Sequence, residues 1–216
     1  MPADARPPLL LTRPRTDSLR FAATMPGWRC VISPILAIRP VDHDAARLHD
    51  APGLVFTSAH AVAAAGPGRG RPAICVGGRT AGVARDAGFA VVEGEGTADS
   101  LLPLLAAAGV PLVHPHGRHL AQVLPVPGVV VYDQVSQPLD DAARELLAGD
   151  EPVILPVFSP RSADLLSAQA TDACAPLWLA AISTAAAQEF RQPCDRRIVA
   201  LQPSAEGMRA VITGLL

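Results

Sequence analysis

Two turns that carry hydroxyl groups are the first candidates for chemistry in this sequence. Thr57 and Ser58 follow a short apolar run, and Ser159 follows a second one roughly 100 residues later. A Ser or Thr at such a position can cap the helix that follows, and the helix start leaves free backbone N–H groups pointing outward. The hydrolase motif GxSxG is absent, since Phe56 and His60 flank Ser58. The turns therefore favour helix capping, which is compatible with binding of a substrate.

A run of histidines is the second candidate. The segment HPHGRH holds His114, His116 and His119, three of the six histidines. His116 and His119 are three residues apart at a predicted helix start, so both rings could face one way, as in a metal site. No cysteine or carboxylate lies beside them in the sequence. We therefore expect no metal, and favour partly protonated histidines that help to hold carboxylates.

Composition excludes several classes of protein. The 216 residues are 50% hydrophobic and 18% charged, which favours one large or two small folded domains. The net charge of −2 gives no support for a nucleic-acid partner. All 18 cationic side chains are arginine, which excludes a lysine Schiff base and a P-loop lysine. No apolar run could span a membrane and the N-terminus lacks a signal-peptide core, so we expect a cytoplasmic protein. The four cysteines form no CxxC pair and are expected to be reduced thiols.

Strands alternate with helices along the chain, a pattern typical of an α/β protein with largely parallel sheets. Short apolar runs predict strands at Leu9–Thr12, Trp28–Ile32, Leu54–Phe56, Ala73–Val76, Phe89–Val92, Pro111–His114, Gly128–Tyr132, Val153–Val157, Leu177–Ile182 and Arg197–Leu201. Helices are predicted between them, including His116–Leu124, Ser162–Ala168 and Thr184–Phe190.

The sequence contains an internal repeat with a period of roughly 100 residues. FTS at 56–58 returns as FSP at 158–160, and Leu10 and Leu112 occupy matching strands. The order of the features is the same in both halves. We therefore predict that the chain contains two copies of one α/β unit.

Two extended, proline-flanked segments divide the chain, each after the second strand of its half. Connectors placed there predict that the chain leaves one domain and later returns to it. We predict one domain from residues 1–35 plus 139–216, a second from residues 42–131, and hinge strands at 36–41 and 132–138. A ligand cleft is expected between the two sheets.

Taken in order, the motifs resemble the uroporphyrinogen-III synthase family. They comprise FTSxxAV at 56–62, VGxxTA at 76–81, Gly117 after a strand, VY at 131–132 and FSP at 158–160. The resemblance covers nearly the whole chain. It implies two similar, flavodoxin-like α/β domains with parallel sheets, joined by a two-stranded hinge, which agrees with the layout predicted above.

The resemblance also implies a reaction. Enzymes of this family cyclise hydroxymethylbilane, a linear tetrapyrrole with eight carboxylates, to uroporphyrinogen III, with loss of water and inversion of ring D. The ring A hydroxyl leaves to give an azafulvene cation, ring D attacks to give a spiro-pyrrolenine, and this fragments and recloses the other way round. No cofactor and no metal are used. The expected partner is this small molecule, without nucleic acid or membrane, and a monomer is the default.

The site residues follow from the resemblance. Tyr132, the only tyrosine, matches the family's VY and would help the ring A hydroxyl to leave, since a phenol can donate its proton; packing of the hinge is the alternative. Helix N-termini offer N–H groups and favourable dipoles to the carboxylates, and arginines add bidentate contacts. The expected substrate contacts are Arg13, Thr57, Ser58, Ala59, Gly78, Arg79, Thr80, Thr97, Ser100, His116, Gly117, Arg118, Ser159, Arg161, Ser183 and Thr184.

Some alternatives stay open. Eukaryotic members of the family tend to carry threonines at the turn after the strand that matches Leu177–Ile182, whereas here Ser183 and Thr184 stand shifted by two positions, which leaves their roles open. A two-domain binding module for a small polyanionic ligand is the non-enzyme alternative. A nucleotide-dependent transferase is less favoured, because VGGRTA at 76–81 lacks both GxGxxG and GKT/S.

Overall fold

A computed structural model describes residues 6–120 and 122–216 and divides the chain into two units. Unit 1 comprises the described residues up to Ala37 together with Ser136–Leu216, and unit 2 comprises Ile38–Val135. The strands are β1 Leu9–Leu11, β2 Cys30–Ile32, β3 Leu36–Pro40, β4 Gly53–Phe56, β5 Pro72–Cys75, β6 Ala90–Glu93, β7 Leu112–Gly117, β8 Gly128–Ser136, β9 Val153–Val157, β10 Leu177–Ala181 and β11 Arg196–Val199. The α-helices are α1 Arg15–Ala23, α2 Ala45–His49, α3 Gly78–Asp86, α4 Leu102–Ala106, α5 Asp141–Ala148, α6 Pro160–Gln169, α7 Thr184–Glu189 and α8 Ala205–Gly214. Two 3-10 helices span Ala59–Ala65 and Asp99–Leu101.

Unit 1 is built on a parallel five-stranded sheet in the order β11-β10-β9-β1-β2. Its central strands β1 and β9 are apolar on both faces. Leu10 and Leu155 belong to one buried cluster, whereas Leu9, Leu11 and Ile154 belong to another. Successive residues of a strand point to opposite faces, so both faces of this sheet are covered, as expected for parallel strands.

Unit 2 is built on a mixed six-stranded sheet in the order β3-β8-β7-β4-β5-β6. The strands from β8 to β6 are parallel to one another. In contrast, β3 runs antiparallel to β8, since the Val41 N–H donates to the Val131 carbonyl near one end of the pair and the Gln137 N–H to the Ile35 carbonyl near the other. The fold is therefore α/β with parallel and mixed sheets.

The two sheets share one strand order when their strands are matched by the repeat in the sequence. Matching β9, β10 and β11 with β4, β5 and β6, and β1 and β2 with β7 and β8, gives the same sequence of neighbours in both units. The added strand β3 lies at the edge of the unit 2 sheet. The repeat is thus visible in the topology as well as in the motifs.

The predicted helix His116–Leu124 is wrong. His116 and Gly117 instead extend β7, where they pair with β8, and the described residues from Arg118 to Leu124 form bends and irregular backbone. Pairing with a neighbouring strand, which a local pattern does not reveal, overrides the helical spacing of the apolar residues. The other predicted strands are present with bounds that differ by up to four residues, the largest difference being the extension of β8 beyond Tyr132 to Ser136.

Arg71 connects several turns of unit 2 by hydrogen bonds. Its guanidinium donates hydrogen bonds to backbone carbonyl oxygens that precede and follow β4 in the sequence, and its guanidinium carbon lies 5.3 Å from the centroid of the Phe89 ring. The carbonyls belong to Leu48, His49, Ala51, Ala65, Pro67 and Gly68. This arginine therefore serves the fold. None of the helices in the described part of the chain is long and apolar enough to cross a membrane.

Candidate functional site

Each sheet has a switch point, the pair of adjacent strands from which the chain builds outward in opposite directions. It lies between β4 and β7 in unit 2 and between β1 and β9 in unit 1. In open α/β sheets, ligands bind outside the carboxyl ends of the strands at such a point. The unit 2 corner is defined here as residues 57–60, 114–119 and 132, and the unit 1 corner as residues 12–17 and 158–162.

Thr57 and His114 connect β4 with β7 in the unit 2 corner. Oγ1 of Thr57 lies 2.9 Å from Nε2 of His114. His114 is 2% exposed, whereas Thr57 is half-buried. Burial, together with the ring of His116 at 4.9 Å, lowers the pKa of His114 to about 4. The His114 ring is therefore neutral at pH 7 and offers one donor and one acceptor.

Tyr132 lies in the middle of β8 and is 5% exposed, so the prediction that it ends its strand is wrong. Its ring packs directly on Gly117. A Cβ atom at position 117 would lie 2.5 Å from Cε2 of Tyr132 and 2.9 Å from its hydroxyl oxygen. The pairing shifts register here, since His116 pairs with Val130 and Gly117 with Tyr132, which leaves Val131 as the extra residue of β8. On another side, the ring of His60 meets the Tyr132 ring edge-on, with centroids 6.0 Å apart.

His116 lies in β7 and Arg118 directly follows its last residue, so neither stands at the predicted helix N-terminus. Nδ1 of His116 is 2.8 Å from the carbonyl oxygen of Gly117. Nε of Arg118 donates to Oδ2 of Asp133 at 3.0 Å, and Nε2 of His119 lies 3.4 Å from the other oxygen of that carboxylate. Asp133 thus balances the charge that Arg118 brings to the corner. No group of three or more metal-ligating side chains is found among the residues that the structure describes.

Ser58 and Ala59 form the turn that follows Thr57. Ser58 is the N-cap of the 3-10 helix Ala59–Ala65, and its hydroxyl accepts from the His60 N–H at 3.3 Å. The capping role predicted for this turn is therefore present. The same turn places His60 next to Tyr132.

Five further predicted contacts follow β5 and β6, farther from the switch point. Gly78, Arg79 and Thr80 form the first turn of α3; Arg79 is exposed, whereas Thr80 is 5% exposed. The Thr97 hydroxyl accepts from the Ser100 N–H at 3.3 Å. Because β5 and β6 are parallel to β4, these turns lie at the same carboxyl edge of the sheet as Thr57. They lie one and two strands beyond β4, away from the unit 2 corner.

A cation is held at the unit 1 corner. The guanidinium carbon of Arg13 lies 4.3 Å from the centroid of the Phe158 ring. Nη2 of Arg13 is also 3.8 Å from Oδ2 of Asp17, which is 3% exposed and accepts from Arg20 at 3.1 Å. The aromatic ring and the carboxylate hold the guanidinium at this corner, and a guanidinium is a group suited to recognition of a carboxylate.

Helix caps supply the remaining predicted contacts of unit 1. The Ser159 hydroxyl accepts from the Ser162 N–H at 3.1 Å and caps α6, while Ser183 caps α7. Arg161 is half-buried in the first turn of α6, and Thr184 is exposed in the first turn of α7. Because β9 and β10 are parallel neighbours, both caps lie at the same edge of the sheet.

Sequence reasoning missed the hydrogen bond between Thr57 and His114 and the ion pairs of Asp17. One signal was present: in a strand, Leu112, His114 and His116 share one face because the period is two. The predicted strand ended at His114, and this hid the extension of β7 that brings His116 and Gly117 alongside β8.

Comparison with known proteins gives a family match and structural matches. The family model described as uroporphyrinogen-III synthase HemD matches residues 20–210. The crystal structure of uroporphyrinogen-III synthetase from Helicobacter pylori matches with a TM-score of 0.65 at 17% identity, covering 98% of this chain and 100% of that chain. A mutant uroporphyrinogen III synthase from Thermus thermophilus matches with a TM-score of 0.50 at 15% identity, covering 97% and 98%. No curated protein matches the sequence significantly. At 15% and 17% identity, the solved structures support the fold alone. The family match spans most of the chain and confirms the resemblance.

Proposed function

We propose that this chain, which belongs to the uroporphyrinogen-III synthase family, cyclises hydroxymethylbilane to uroporphyrinogen III with loss of water and inversion of ring D. The family match over residues 20–210 is the observation that carries this function. The elimination of water with ring closure makes the enzyme a cyclising hydro-lyase that needs neither cofactor nor metal. Left alone, the linear substrate closes without inversion, so the protein must hold it in the geometry that favours attack at the substituted carbon of ring D.

Tyr132 is the residue to which we assign the chemical step. Its phenol would donate a proton to the ring A hydroxyl as that group leaves as water. The position of the ring over Gly117 supports this role, since the hydroxyl lies close to the carboxyl end of β7, next to the switch point of unit 2. His60 is half-buried and meets the Tyr132 ring edge-on, with centroids 6.0 Å apart, which places one polar ring beside the tyrosine.

The substrate's carboxylates would be held by helix N-termini and by arginines. Ser58 and Ser159 cap helices beside the switch points, where unsatisfied N–H groups point outward. Arg13 presents a guanidinium beside the Phe158 ring at the unit 1 corner. The contacts with Thr57, Ala59, Arg79, Ser183 and the other predicted residues remain predictions, as do the hinge between the domains, the ligand cleft and the monomeric state.

An isomer assay tests the function directly. Freshly made hydroxymethylbilane is supplied to the purified protein, the products are oxidised, and types I and III are separated by chromatography. Mostly type III, formed faster than in the blank, is expected. Type I formed at the blank rate by folded protein would overturn the proposal and favour a binding module for a polyanionic ligand.

A further inference from the structure

His114 is a buried polar group in apolar surroundings. Period-two alternation in β7 places it on the same face as Leu112, which packs in a buried cluster with Val55, Ile74 and Leu101. An imidazole in such a place carries a desolvation cost unless it is hydrogen-bonded. The partner it has is the Thr57 hydroxyl, 57 residues away in sequence and 2.9 Å away in space.

The two members of this pair differ in exposure, so Thr57 is the member that a ligand could contact. His114 is 2% exposed, whereas Thr57 is half-buried at the carboxyl end of β4. An isolated threonine hydroxyl turns about its C–O bond, and its χ1 angle has more than one favourable value. A hydrogen bond to a ring held inside a strand selects one orientation.

A neutral imidazole can set which way the Thr57 hydroxyl hydrogen points. When Nε2 carries the proton, it donates to Oγ1 of Thr57, and the threonine's own hydrogen is left free to donate outward. An acceptor such as a carboxylate would need that outward donor. Since burial holds the pKa of His114 at about 4, the ring is neutral at pH 7, and the arrangement requires the tautomer that carries its proton on Nε2.

We propose that His114 is a positioning residue that holds the Thr57 hydroxyl in the orientation that donates a hydrogen bond to a carboxylate of the substrate. The inference rests on the proposed function, because it is that function which brings a polycarboxylate to the unit 2 corner. The role acts through Thr57, so it predicts an effect on substrate binding that is absent when Thr57 has no hydroxyl.

A double-mutant cycle on His114 and Thr57 tests the proposal. The variants His114→Leu, Thr57→Val and the double variant are assayed for KM and kcat with hydroxymethylbilane, and their folding is checked by thermal unfolding. His114→Leu should raise KM about fivefold, the effect of one ordinary hydrogen bond, with a smaller change in kcat. The same change made in Thr57→Val protein should raise KM no further. His114→Gln, whose amide N–H₂ stands near the position of Nε2, should recover most of the loss.

A matched control removes a hydroxyl elsewhere. Thr213→Val deletes an exposed hydroxyl that donates to the Arg209 carbonyl in α8, and should leave KM unchanged. Effects of His114→Leu and Thr57→Val that multiply would overturn the positioning role while the proposed function stands, as would a His114→Gln protein no better than His114→Leu. A wild-type protein that forms only type I at the blank rate would overturn the proposed function and this role with it.

Discussion

Gly117→Ala tests the packing of the unit 2 corner most sharply. The added methyl group would lie 2.5 Å and 2.6 Å from two carbons of the Tyr132 ring and 2.9 Å from its hydroxyl oxygen, closer than Cβ atoms approach other heavy atoms. Tyr132 is 5% exposed and packs in the core of unit 2, so its ring has little room to move away. Overpacking of this kind costs about 1–3 kcal/mol of unfolding free energy, or roughly 2–12 °C in the unfolding midpoint of a chain this long.

The assay combines thermal unfolding with the isomer assay. Gly109→Ala is the control, because a Cβ atom at that position would meet nothing within 4 Å. The free energy of unfolding of this control should lie within about 0.5 kcal/mol of the wild-type value. Gly117→Ala should also lose type III synthesis, since the displaced ring carries the proposed proton donor.

The same substitution in a variant that lacks the Tyr132 ring tests whether contact with that ring causes the loss of stability. In Tyr132→Ala protein the ring is absent, so the further change Gly117→Ala should cost much less than it does in the wild-type protein. A Gly117→Ala protein as stable as the wild type would refute the argument from packing. An undiminished cost in the Tyr132→Ala background would refute the assignment of that cost to the tyrosine ring.

Three further predictions follow. Since the pKa of His114 falls from 6.5 to about 4 on folding, the unfolded chain binds a proton between those pH values that the folded chain does not. The free energy of unfolding should therefore lose about 3 kcal/mol as pH falls from 6.5 to 4, and urea titrations should show a smaller loss in His114→Leu protein. Tyr132→Phe should lower kcat at least about tenfold with an unchanged unfolding midpoint; unchanged turnover would remove the phenol from the mechanism. Gly82→Ala, in the interior of α3 with nothing within 4 Å of the new Cβ atom, should raise the free energy of unfolding by about 1 kcal/mol, measured by the same titration.

The order of strands and helices could be predicted because each apolar run carries its own signal. Leu9–Leu11 and Val153–Val157 are short, continuous apolar runs, and both form strands buried on two faces. The repeat added information of another kind. By matching FTS at 56–58 with FSP at 158–160, it aligned the two halves, and the sheets then proved to have the same order of strands.

The details of the site depend on contacts that no local pattern contains. The local pattern predicts a helix start at His116 and Gly117, yet both residues belong to β7 and pair with β8, with a shift of register between them. That register places Gly117 under Tyr132. The Thr57–His114 hydrogen bond likewise joins residues 57 positions apart. Such pairings are decided by the packing of whole strands, and this is why individual site residues were harder to predict than the fold.

Since the two units have the same strand order, their corners can be compared residue by residue. The offset that matches Leu10 with Leu112 also matches Thr12 with His114, and both are buried, at 1% and 2% exposure. A small hydroxyl in one unit thus stands where a neutral imidazole stands in the other. Beside Thr12, unit 1 holds the cation of Arg13 against an aromatic ring and a carboxylate.

Beside His114, unit 2 instead holds Thr57 and, through Gly117, the phenol of Tyr132. The unit 1 corner thus holds a cation beside an aromatic ring, whereas the unit 2 corner holds a neutral imidazole, a hydroxyl and a phenol together with the Arg118–Asp133 ion pair. A fixed cation attracts a carboxylate without taking part in proton transfer, whereas a phenol can give a proton to a leaving hydroxyl. We propose that divergence at these matched positions, within one shared order of strands, separates binding from chemistry in this chain.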